Sequence, residues 1–214
     1  MPIFPLNTNP IQFPPPDFAG PDGLLAEGGL CTSDWLFKAY QSGFFCWSHP
    51  MRYPKWWTPD PRKVVLPQAY KLDINNDKGF EITFNQDLET SLKFIQTVEN
   101  QGEMNDFWLT GIMMKAFKDF HKTGNLIWVT IKNVQEIVGV AVGVAINNLF
   151  FGEYITGKDE NMMRHAGFHL LEYLKQQDFI MFDVHKPTNR GDEIFDVTPI
   201  NRREYLTILE NNLK

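Results

Sequence analysis

Glu153, Asp183 and His185 are the residues of this chain whose types and spacing point most directly to chemistry. Asp183 and His185 stand two apart in Phe182-Asp183-Val184-His185. Side chains alternate along a strand with a period of two, so this pair is expected on one face of a strand end. A carboxylate beside an imidazole makes an acid/base pair, because imidazole titrates near neutrality, at about 6.5. The same two groups also serve as a hydrogen-bonded structural pair. Glu153 follows the apolar Leu149-Phe150-Phe151 and Gly152, which puts a second carboxylate on another apolar segment. His165 and His169 have i, i+4 spacing but no carboxylate at motif distance, so they read as a partly exposed helix pair and no metal is expected. Phosphate-loop, His-Glu-x-x-His and Gly-x-Ser-x-Gly patterns are absent, which removes P-loop ATPase, zinc-protease and α/β-hydrolase functions.

A second concentration of functional residue types is Trp56-Trp57-Thr58-Pro59-Asp60-Pro61-Arg62. Its prolines restrict the backbone around Asp60, so the tryptophans and the arginine are held in place. Two readings stay open: a buried plug at a domain junction, or a stacking and phosphate platform for the end of a nucleic acid. Around it, Lys38, Arg52, Lys55, Arg62, Lys63 and Lys71 outnumber Asp34 and Asp60, a local +4 in a chain of net charge −6. The overall acidity argues against generic nucleic-acid binding and DNA as a partner. A local phosphate-contacting face built from Arg52, Lys55, Arg62 and Lys63 remains compatible with it.

The elements that must position these residues divide the chain near Lys63. Residues 1–62 are rich in proline, glycine and aromatics, which predicts little regular structure beyond one helix, Trp35 to Gln41. From Lys63 onward, strands are expected at 64–66, 81–84, 126–132, 137–145, 149–154 and 179–184. Helices are expected at 87–99, 110–122 and 161–177, and Asn147-Asn148 is read as a tight hairpin turn. This alternation describes an α/β half with an antiparallel component. At 214 residues with 43% apolar content, the chain suffices for one compact unit or for a small domain beside a larger one. Two cysteines cannot make a disulfide framework, and no segment approaches the roughly 20 apolar residues that span a bilayer. The expectation is a reduced cytoplasmic location with no membrane.

In order along the chain, several motifs resemble the leucyl/phenylalanyl-tRNA-protein transferase family. They are Phe13-Pro14-Pro15-Pro16, Asp22-Gly23-Leu24-Leu25-Ala26 with Gly28-Gly29, Ala39-Tyr40, Gly43-Phe44-Phe45-Cys46-Trp47 and the tryptophan segment from Trp56 to Arg62. Later come Trp108-Leu109-Thr110, Phe150-Phe151-Gly152-Glu153, Asp183 and Ile200-Asn201-Arg202-Arg203-Glu204-Tyr205-Leu206. The resemblance spans nearly the whole chain and implies an α+β fold. A small N-terminal domain, 1–62, would pack on an N-acetyltransferase-like (GNAT-type) mixed-sheet domain, 63–214. It also implies an aminoacyltransferase without cofactor or metal; the chain is expected to be a monomer. Such an enzyme moves Leu or Phe from an aminoacyl-tRNA to the N-terminal amine of proteins beginning with Arg or Lys, marking them for degradation.

Carried over by position, Asp183 matches the family's catalytic aspartate and Glu153 its acidic residue near the terminal adenosine. Tyr40, Trp47 and Trp108 match substrate-binding aromatics. An apolar donor pocket is expected from Ala141, Phe150, Gly167, Leu170, Leu174 and Phe182. The family has glutamine where this chain has His185. The expected consequence is a histidine that takes the proton from the acceptor amine while Asp183 orients it or the amine. Two alternatives are a non-catalytic homologue that only binds the tRNA end and an acyltransferase of the same fold with a thioester donor. Against the second, Gly157-Lys158-Asp159-Glu160 is acidic where a phosphate cradle would be glycine-rich.

Overall fold

In a computed structural model of the chain, the structure describes residues 3–47, 53–71, 79–99, 109–134 and 136–213. In chain order its elements are β1 (Phe4–Leu6), β2 (Leu24–Gly28), α1 (Ser33–Gln41), β3 (Phe45–Cys46), β4 (Lys55–Trp57), β5 (Arg62–Val65) and β6 (Phe80–Phe84). They continue as α2 (Leu88–Glu99), α3 (Gly111–Lys122), β7 (Leu126–Asn133), β8 (Glu136–Ile146), β9 (Leu149–Gly157), α4 (Glu160–Gln176) and β10 (Met181–Asp183). The last are α5 (Gly191–Ile194), β11 (Thr198–Ile200) and α6 (Arg202–Asn212). Both sheets and helices are present, and the larger sheet is mixed, as an α+β chain requires.

Two compact units emerge: 1–62 with 104–119 and 199–214, and 63–103 with 120–198. One of the divisions falls between Arg62 and Lys63. The C-terminal helix, however, groups with the first unit and not with the second. Physical causes are visible inside that unit. Arg202 donates from its guanidinium to the Thr58 carbonyl (3.0 Å), and its backbone N–H donates to Asp60 Oδ1 (3.0 Å). Asn201 caps α6 by accepting from the Glu204 N–H.

The prolines and glycines of the first unit do not suppress strands; they keep them short. Its sheet runs β1-β2-β4-β3, with β1 parallel to β2 and the other pairs antiparallel. Burial comes from aromatic packing: Phe13, Trp35, Phe44 and Trp56 form a cluster with ring centroids 4.9–5.6 Å apart. The buried Trp56 satisfies its indole N–H on the Gly28 carbonyl at 2.9 Å. Gly29 has φ +68°, and a Cβ there would lie 2.6 Å from the Trp35 ring, so glycine meets both a conformational and a steric demand.

In the second unit β5-β10-β9-β8-β7-β6 follow one another across the sheet. Pairings are antiparallel except between β9 and β10, which are parallel and joined by α4 as a crossover. The long strands β8 and β9 meet at Asn147-Asn148, where Asn147 has φ +52°, so the expected tight turn is present. Helix α4 packs across β7, β8 and β9 and buries Met163, Ala166, Leu170, Leu171 and Leu174.

Gly29 and Gly124 separate the steric demand from the conformational one. Gly124 has φ +76°, and a Cβ there would meet nothing within 4 Å. Gly124→Ala is expected to cost about 1 kcal/mol, the ordinary penalty of a left-handed alanine, whereas Gly29→Ala adds collision with Trp35. Urea midpoints of the two variants should therefore differ; equal losses would mean that the Trp35 ring yields freely.

Candidate active site

Strand β10 lies between β5 and β9, with Asp183 opposite Val64 on one side and Phe151 on the other. Asp183 is 4% exposed, and its Oδ1 accepts the backbone N–H of His185 at 3.1 Å. The imidazole is half-buried and lies past the end of the strand, which stops at Asp183. Its Nδ1 accepts the Lys63 N–H at 3.0 Å while the Val184 N–H donates to the Lys63 carbonyl. The ring thus extends the β5–β10 ladder by one acceptor. Asp183 thus holds the main chain of His185, and the imidazole is anchored on β5 through Nδ1.

Glu153 owes its placement to a β-bulge. Gly143 stands opposite Gly152 and Val142 opposite Tyr154, which leaves Glu153 as the extra residue on β9. Its carboxylate, 1% exposed, receives the ammonium of Lys186, itself 3% exposed. The short turn Pro187–Asn189 then clasps the bulge. Thr188 donates its hydroxyl to the Glu153 carbonyl (2.5 Å), and Asn189 donates its amide to the Gly152 carbonyl (3.2 Å). Asn189 Oδ1 in turn accepts the Gly191 N–H (2.9 Å). Lys186, Thr188 and Asn189 escaped the sequence reading. The available signal was Glu153 itself, since a carboxylate buried in an apolar strand needs a cation. Burial pushes the neighbouring Tyr154 phenol well above its ordinary value of 10.0, with the charges of Glu153 and Glu99 adding to the effect.

Beside this cluster a cavity of about 340 Å³ opens at the start of α4, lined among others by Thr156, Asp159, Glu160, Arg190 and Glu193. Asp159 caps α4, its Oδ1 accepting the Met162 N–H at 2.9 Å. Arg190 is bound by both oxygens of Glu99, at 3.3 and 3.4 Å. The cavity lining is therefore acidic around one neutralised arginine.

Other expected site residues fall into three groups. Ala141, Phe150, Leu170, Leu174 and Phe182 belong to one hydrophobic core cluster, and Gly167 sits against two of its members, Ile194 and Phe195. A Cβ at Gly167 would lie 3.2 Å from both Ile194 and Phe195. Tyr40, 1% exposed, is part of the buried face of α1, and Trp47 is half-buried with its carbonyl accepting the Trp57 indole N–H at 2.7 Å. Trp108 and Arg52 lie outside the described residues. Arg62, expected on a phosphate, is 2% exposed and sandwiched between the rings of Phe45 and Tyr205, each 4.8 Å away. Lys55 is half-buried on β4, and the Lys63 ammonium binds Asp192. Of the tryptophan segment, Trp56 and Arg62 are buried within the first unit, and Trp57 keeps partial exposure. The rings of His165 and His169 lie 4.8 Å apart on α4, tilted at 59° to one another.

Lys186→Met should leave the Glu153 carboxylate buried without its cation, a loss of about 3–5 kcal/mol by urea denaturation, and Glu153→Gln in the same chain should restore much of it. Independent additive losses would show that the pair is not coupled. Tyr154 gives a pH signature. A phenol raised on folding contributes stability that is complete below pH 10 and is lost as pH rises through the native value. Tyr154→Phe should therefore flatten the alkaline limb of a stability–pH curve; an unchanged limb would contradict the assignment.

Known proteins can be compared with this geometry. The sequence model of the family described as leucyl/phenylalanyl-tRNA protein transferase matches residues 60–210. Transferases of that name from Pseudomonas syringae pv. tomato and pv. syringae are 34% and 31% identical, over 86% and 97% of this chain and 82% and 93% of theirs. One from Syntrophobacter fumaroxidans is 30% identical over 100% of this chain and 92% of its own. Among solved structures, a GCN5-related N-acetyltransferase from Kribbella flavida is similar at a TM-score of 0.46 and 9% identity, covering 77% of this chain and 60% of its own. The match over residues 60–210 takes in the Glu153–Lys186 pair, Asp183 and His185, and the chain belongs to the leucyl/phenylalanyl-tRNA protein transferase family, a family of aminoacyltransferases.

Proposed function

We propose that the chain transfers Leu or Phe from a charged tRNA to the N-terminal amine of proteins that begin with Arg or Lys, so marking them for degradation. The observation that carries this reading is the pair of buried carboxylates, Asp183 and Glu153, on adjacent parallel strands within the matched segment. In the reaction the acceptor nitrogen attacks the ester carbonyl, a C–N bond forms, and the bond to the ribose oxygen breaks. One proton leaves the nitrogen and one ends on the released hydroxyl. Asp183 is the group assigned to receive the amine proton, with His185 fixing the strand end that presents it. The Lys186-bound Glu153 holds the bulge beside it. Acidic lining by Asp159, Glu160 and Glu193 suits the cationic side chain of an Arg or Lys acceptor.

A thioester donor carrying phosphates is disfavoured by Asp159, whose carboxylate occupies the N-terminus of α4, where such phosphates would need open N–H groups. Binding without transfer is the reading favoured by one observation, the neutralisation of Glu153 by Lys186.

Charged tRNA labelled on its amino acid, offered with peptides beginning with Arg, Lys or Ala, tests the proposal. Label should enter the Arg and Lys peptides, and Asp183→Asn should lower the rate about 10²–10⁴-fold. Glu193→Lys should raise KM for the Arg peptide more than it lowers kcat. Binding of charged tRNA with no labelled peptide would select the non-catalytic homologue. A His185→Ala loss as deep as that of Asp183→Asn, in folded protein, would return the base to the ring.

A further inference from the structure

Cys31 and Cys46 are the only cysteines of the sequence, and the fold brings their sulfurs to 3.3 Å without a bridge between them. A disulfide holds its sulfurs about 2.0 Å apart, so an approach of about 1.3 Å separates the dithiol from the bond. The two positions differ in access. Cys31 is half-buried just before Thr32, the N-cap of α1, whereas Cys46 is buried at 1% exposure on β3 opposite Trp56. That asymmetry suits a two-step oxidation in which the accessible sulfur reacts and the sheltered one resolves it.

We propose that Cys31 and Cys46 form an oxidative modification site that a hydroperoxide converts to an intrachain disulfide. Peroxide oxygen transfers to Cys31, giving a sulfenic acid and one water. The Cys46 sulfur then displaces the sulfenic hydroxyl, forming the S–S bond and a second water. Two thiols lose two electrons and two hydrogens, and one hydrogen peroxide is reduced to two waters. The bond ties the entry of α1 to β3, next to Trp47, whose carbonyl holds the Trp57 indole. It closes a loop of about 15 residues, long enough to restrict the unfolded chain measurably. The assignment stands on the first unit alone and does not rest on the transfer reading.

The full-length reduced chain, freed of reductant, is treated with a small excess of hydrogen peroxide and followed by intact mass, thiol alkylation and peptide mapping. The expected result is loss of two hydrogens, protection of both cysteines and a peptide linking Cys31 to Cys46. Dithiothreitol should reverse all three, and the oxidised chain should melt several degrees higher than the reduced one. Cys46→Ser should instead accumulate a sulfenic acid at Cys31 that dimedone traps. Cys31→Ser should leave Cys46 a thiol at the same dose. The proposal is overturned if the native chain gains oxygens without losing hydrogens, links between copies, oxidises at Cys46 in Cys31→Ser, or stays reduced while glutathione in the same tube is consumed.

Discussion

A carboxylate at 1% exposure cannot stay charged inside protein without a cation and hydrogen bonds, and the Glu153–Lys186 contact answers that constraint. Much of the second unit follows from it. Lys186 follows the end of β10, and the Pro187–Asn189 turn that comes next hydrogen-bonds to the same bulge. The turn in turn depends on the parallel register of β9 and β10, Asp183 opposite Phe151, set by the α4 crossover. The bulge at Glu153 supplies the last requirement, because it frees a side chain of β9 from the regular alternation. Ion pair, bulge and clasp are thus one device, and Asp183 borders it.

A second buried cation organises the first unit. Arg62 has the charge and sequence context of a phosphate ligand, yet its guanidinium lies between Phe45 of β3 and Tyr205 of α6. Its Nη1 also lies 3.5 Å from the Gly43 carbonyl, a long hydrogen bond. A planar, weakly hydrated cation stacks on aromatic faces where an ammonium would not. That contact joins sequence segments more than 140 residues apart and accounts for the membership of α6 in this unit. Around Thr58 and Asp60, the bonds from Arg202 reinforce it.

Periodicity made these elements legible: α2, α4 and the β8–β9 hairpin of the second unit, and α3, most of which belongs to the first, stand where sequence spacing, caps and Asn147-Asn148 put them. Strands β1 to β4 were hidden because they are two to five residues long, too short to show alternation, and their stability comes from Trp35 and Trp56. Helix α6 has a mostly polar face and buries Tyr205 and Leu209, a weak apolar signal. Asp183 and Glu153 stand out in the sequence by residue type and context. The hydrogen bond that anchors the imidazole does not, because its donor is the Lys63 N–H, 122 residues away. Charge counting likewise identified Arg62 without revealing that tertiary packing would consume it.

The chemistry assigned to this arrangement asks little covalent work of the protein. An aminoacyl ester is already activated, and its competing fate is hydrolysis by water. Selecting the amine therefore depends on excluding solvent and on holding nitrogen and carbonyl in line, where positioning alone contributes several kcal/mol to the barrier. Two carboxylates of 4% and 1% exposure, backed by the packed cluster of Phe150, Leu170 and Phe182, give such a dry surface. The same packing is tight at Gly167, where a single added carbon would already lie 3.2 Å from Ile194 and Phe195.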